Sequence, residues 1–129
     1  MTTRDALAAV VVGHLLISVV HGAAHGGAHV PMSLAANLFV YIVIVAGPLI
    51  GLALVRRAQR LGGGIVAATM AASLLFGVMN HFVLGGSDHV SAIAARWRWL
   101  FATTAVLLAV TEAMGCALAL RLVRERSLS

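Results

Sequence analysis

The chain has no lysine, one cysteine and four acidic residues, and charged side chains make up only 10% of its 129 residues. A soluble domain carries about 25%. The shortage excludes a soluble globular protein, a charge-rich disordered segment and a coiled coil. The solitary Cys116 excludes an intramolecular disulfide and a metal site built from thiolates. Two prolines and 5% aromatic residues leave long stretches without a breaker. Apolar residues fill that space, at 61% of the chain with a mean hydropathy of +1.02. The length suits a single domain, and the lipid bilayer is its expected solvent and first partner.

Four apolar runs lie at about 6–24, 34–55, 64–84 and 97–123. Each is near the ~20 residues that a helix needs to cross a ~30 Å hydrocarbon core. They are continuous rather than alternating, which excludes barrel strands. The expected fold is an all-α integral membrane protein. It is a single four-transmembrane-helix bundle over 1–129, with helices at approximately 5–25, 33–56, 63–84 and 92–124. The first run is read as a true membrane helix, because Arg4 is offset at once by Asp5 and makes a poor signal-peptide n-region.

Nine arginines against four acids give a net charge of +5. With four crossings, Arg4, Arg56, Arg57, Arg60, Arg121, Arg124 and Arg126 fall on one side, and only Arg96 and Arg98 on the other. The positive-inside rule then makes both termini cytoplasmic, in a multi-pass protein of the cell inner (cytoplasmic) membrane. The same rule accounts for the basic excess without any nucleic acid. Trp97 and Trp99 suit the outer aromatic belt, and Arg96 or Arg98 has Asp88 within reach as a partner. Gly26, Gly27 and Pro31 close the first helix, and Ser33 caps the second. Gly62, Gly63 and Gly64 read as the inner turn, and Gly85 to Asp88 as the outer one. Pro48 should kink the second helix. Gly47 and Gly51 form a small-residue pair suited to helix contact, within the bundle or in a homo-oligomer or larger membrane complex.

The chain is histidine-rich in a patterned way. His14, His21, His25 and His29 fall at about 0°, −20°, +20° and +60° around a helix, so all four share a face if the helix persists. His81 ends the third run and His89 comes shortly after it. Five of the six histidines therefore gather toward the outer side. Imidazole is costly in hydrocarbon without a partner, and histidines one turn apart can hold one metal ion together. His21, His25 and His81 are the expected cofactor ligands, with His29, Asp88 and His89 in support. An imidazole and carboxylate set suits a transition metal ion such as copper, iron or zinc. Haem b is the alternative, because two histidines on different helices can ligate its iron axially. Methionines 70, 79 and 114 read as core filler rather than copper ligands.

Glu112 is the one acid inside a membrane run. It lies ~15 Å from the inner end of its helix, and His14 lies ~13 Å from that of the first. The matched depth suggests a pair, either a proton relay or a structural hydrogen bond. Three functions stay open: a membrane metalloprotein that is an oxidoreductase or its subunit, a haem b electron-transfer subunit, and a non-catalytic accessory or transport subunit.

Overall fold

Four helices are long and apolar enough to cross a membrane: α1, Thr3–Gly27; α2, Leu34–Val55; α3, Gln59–Val83; and α4, Ala95–Glu125. The computed structural model describes residues 1–125. Arg126, one of the basic flanking residues, lies outside the described residues. A 3-10 turn, Val90–Ala92, precedes α4.

Local chemistry sets most helix ends. At the start of α1 a capping box pairs Thr2 with Asp5. The threonine hydroxyl accepts from the Asp5 amide at 3.2 Å, and the carboxylate accepts from the Thr2 amide at 3.0 Å. Ser33 caps α2 by accepting from the Ala36 amide at 3.1 Å. At the end of α1, His29 takes a left-handed backbone with φ of 54°. Its amide bonds the Gly26 carbonyl at 3.2 Å, and the Val30 amide bonds the His25 carbonyl at 3.1 Å. This pair of bonds is a Schellman stop with histidine where glycine is usual.

The glycines at 62–64 do not form the inner turn. That turn falls at residues 56–58, and α3 begins at Gln59, four residues earlier than the sequence pattern places it. The glycines serve close backbone contact instead. A Cβ on Gly62 would stand 2.5 Å from the Val55 nitrogen and 2.6 Å from the Gly51 carbonyl oxygen. The Gly47 and Gly51 pair therefore meets α3 of the same chain, with Thr69 against the first and Val66 against the second. At this end of the bundle the buried Gln59 donates to the Leu122 carbonyl at 2.8 Å and accepts from the Arg4 guanidinium, which ties α1, α3 and α4 together. Leu7, Val11, Val66, Met70, Ala119 and Leu122 form the core beside it.

Two stretches depart from α geometry. Val40–Ala46 in α2 and Met79–Val83 in α3 are π-helical. Pro48 thus comes after a widened turn rather than acting as a simple kink. Lacking an N–H, it cannot return the α-helical bond to the Ile44 carbonyl. His14 supplies the donor, with Nε2 at 3.2 Å from that oxygen. The helices pack in the order α1 on α4, α4 on α3, α3 on α2. α1 meets α2 mainly over 47–55. The N-terminal half of α2 leans on α3, where Phe39 stacks on Phe76 with centroids 4.5 Å apart.

Gly62→Ala should cost about 1–3 kcal/mol through overpacking, read as a lower unfolding midpoint in detergent, whereas Gly64→Ala, with open space around its Cβ position, should cost nothing. A double-mutant cycle tests the proline argument. His14→Phe should cost about 1–3 kcal/mol by stripping the Ile44 carbonyl of its donor. Adding Pro48→Ala should recover part of that loss. A coupling energy of zero would mean the two residues act independently.

Candidate metal centre

His21 and His25 stand one turn apart on the same face of α1. His81 comes from the π stretch of α3, where the ladder closes with the Leu84 amide on the Met79 carbonyl at 2.7 Å. Asn80 supplies a side-chain donor at this change of step, to the Phe76 carbonyl at 2.8 Å. The three histidines each offer a ring nitrogen, and these atoms all lie within 4.8 Å of one another. His21 and His81 are each 6% exposed. Phe101 of α4, fully buried, walls the group, with its centroid 4.7, 4.8 and 5.1 Å from the rings of His21, His25 and His81. Three such histidines can coordinate a metal ion.

The hydrogen bonds assign the protons. Thr104 Oγ1 donates to the Leu100 carbonyl at 2.7 Å, so it accepts from His21 Nδ1 at 2.8 Å. His81 Nδ1 faces only acceptors, the Asp88 carbonyl at 3.2 Å and Asp88 Oδ1 at 3.3 Å. In their neutral form both rings therefore carry the proton on Nδ1, and both Nε2 atoms present a lone pair. Those two atoms are 3.2 Å apart. Two lone pairs at that distance repel, and a cation between them, whether a proton or a metal ion, removes the conflict. The separation is close to the ~3.3 Å between two nitrogens of a tetrahedral ion with bonds of 2.0–2.1 Å.

Asp88 lies beside the three histidines without belonging to the metal-capable cluster itself. Its Oδ1 lies 3.3 Å from His25 Nε2 as well as from His81 Nδ1, without forming a hydrogen bond to either. His25 Nδ1 is also enclosed without a partner. Asp88 is thus spent on histidines, not on arginine; Arg98 donates instead to the Ile93 carbonyl at 3.0 Å.

Two supporting histidines stand elsewhere. His29 is exposed, because the Schellman stop ends α1 before the ring can continue the shared face. His89 caps the 3-10 turn, accepting from the Ser91 amide at 3.2 Å. His14 and Glu112 do not form the expected pair. His14 turns one ring nitrogen to the Ile44 carbonyl and the other to the Thr111 hydroxyl at 3.5 Å, and no hydrogen bond or ion pair joins it to Glu112 among the described residues. Depth matched, but the proline-freed carbonyl was the stronger claimant. Thr104 and Phe101 are site residues that sequence reasoning missed. Their signal was a buried stripe on α4 running 101, 104, 105 and 108 at helical spacing.

The chain matches no protein-family model, no curated protein and no solved structure. The site alone carries the functional reading.

His29→Gly should stabilise the protein by up to ~1 kcal/mol, the strain of a non-glycine left-handed residue, and leave metal content unchanged. Loss of metal in this variant would return His29 to the ligand set. Thr104→Val should weaken metal binding at least about tenfold, the range for losing an outer partner of a ligand histidine, as read by competition with a chelator.

Proposed function

We propose that the protein is a small membrane metalloprotein whose His21, His25 and His81 hold one divalent transition ion, with Asp88 beside them as a supporting carboxylate. The observation that supports this most is the opposition of two Nε2 lone pairs across 3.2 Å in a buried site. The donor set of imidazole and carboxylate suits copper, iron or zinc. Thr104 holds His21 in the metal-binding tautomer, and the Asp88 carbonyl does the same for His81. Phe101 keeps water from one side. A redox-active ion bound there would supply one-electron chemistry, which makes an oxidoreductase, or a subunit of one, the leading functional class. The 3.2 Å approach favours an ion over haem b, whose axial ligands stand on opposite faces of a macrocycle. The arginine distribution supports cytoplasmic termini, which puts the site near the outer face of the inner membrane.

Elemental analysis of protein purified without a polyhistidine tag tests the reading. About one equivalent of a transition metal and no Soret band are expected. His21→Ala and His81→Ala should each lower metal affinity by at least about tenfold while keeping native helical content by circular dichroism. Unchanged stoichiometry in both variants would reduce the histidines to packing, and a Soret band would restore the haem alternative. A reporter fused after Ser129 that reads as periplasmic would reverse the orientation.

A further inference from the structure

Between the outer halves of α1 and α2 lies a cavity of about 400 Å³, within the range of small-molecule sites. His21, His25, His81 and Asp88 all line it. Glu112 lines it too, eight residues along α4 from Thr104, or ~12 Å toward the inner side. The remaining lining is mostly apolar. At the mouth stand Val19 of α1 and Tyr41 of α2, 65% and 67% exposed. Both lie well inside the helices long enough to span a membrane, so the cavity has an approach from between α1 and α2 besides the end lined by Met32 and Asp88 of the loops.

Several polar atoms of this cavity already spend their donors within the chain. The Ser18 hydroxyl donates to the His14 carbonyl at 2.8 Å, and the Ser73 hydroxyl to the Thr69 carbonyl at 2.7 Å. The Asn37 amide nitrogen donates to the Ser33 carbonyl at 3.2 Å. The two serine hydroxyls have committed their donors to their own helices and keep acceptor capacity, while Tyr41 brings a phenol hydroxyl to the same wall. Glu112 is 3% exposed and makes no hydrogen bond or ion pair among the described residues. A carboxyl group retains an accepting oxygen in either protonation state. An intramembrane carboxyl without a protein partner calls for one from outside the chain.

We infer that the cavity binds a lipid-soluble molecule bearing a hydroxyl group, which enters between α1 and α2 from the bilayer and donates its hydrogen bond to Glu112. The apolar body fills the space up to the histidine wall. Glu112, as the acceptor of that bond, selects the hydroxyl form of such a molecule over its ether counterpart. This names the substrate class of the proposed metal centre. It rests on that reading for the role of the metal, but not for the binding itself.

The experiment compares 4-nonylphenol with 4-nonylanisole, the same body without the donor, by equilibrium binding to the protein in nanodiscs after subtraction of partition into empty discs. The wild type should prefer the phenol by about tenfold, as for one buried hydrogen bond lost. Glu112→Leu, which keeps the volume and the helix, should reduce that preference to below about threefold. Val19→Trp, at an exposed mouth position, should weaken both probes together. Equal binding of the two probes by the wild type, a preference that survives Glu112→Leu, or affinities untouched by Val19→Trp would each overturn the inference. Metal content is read in the same samples. Discrimination through Glu112 in protein that binds no metal supports the cavity ligand and removes the metal reading; bound metal without discrimination does the reverse.

Discussion

Inside hydrocarbon a polar atom has no water to bond, and every donor and acceptor must find its partner within the chain. That constraint explains contacts that would be incidental in a soluble protein. Ser18, Ser73, Thr69 and Thr104 return their hydroxyl protons to their own helices. Gln59 bridges two helices at one end of the bundle. His14 meets the one carbonyl that a proline leaves without its α-helical donor. Against that background of satisfied groups, the exceptions are few. They include the facing nitrogens of His21 and His81, the enclosed Nδ1 of His25 and Oδ1 of Asp88, the carboxyl of Glu112, and the buried Nε1 of Trp97. All of these residues except Trp97 border one cavity.

The two π-helical stretches flank that cavity from either side. A π turn holds an extra residue, so it rotates the next turn of chain relative to a regular helix. In α3 the effect is to present His81 toward α1, where regular geometry would send the ring around the helix by a further fraction of a turn. In α2 the widened stretch ends where Pro48 begins, and the two irregularities together free the backbone oxygen that His14 uses. Local irregularity and the site are therefore one construction.

The four spans, the Ser33 cap and the shared face of His21 and His25 were legible from spacing alone, because each depends on a repeat within one helix. So was the nearness of Asp88 to His81, seven residues away in a short loop. The triple glycine was misread for a physical reason. Glycine marks both turns and close helix approach, and only the neighbouring helix decides which. The His14 and Glu112 pairing failed similarly. Counting residues gives depth in a bundle, whereas the direction in which a side chain points toward another helix depends on packing. Thr104 went unassigned because its role is set by a histidine 83 positions away. His29 is a subtler case: four-residue spacing said ligand, but the chain spends that residue on stopping the helix.

The packing order divides the molecule into two functions that need not compromise each other. Every proposed ligand and supporting group sits on α1, α3, α4 or the loop between the last two, and these helices hold one another tightly at both ends. α2 contributes none. Its C-terminal half is locked to α3 by backbone contact at Gly51 and Gly62, while its N-terminal half is held by the stacked Phe39 and Phe76 and by the bond of His14 to the Ile44 carbonyl. Substitutions along that half of α2 can therefore reshape the cavity wall while the geometry of the centre is inherited intact.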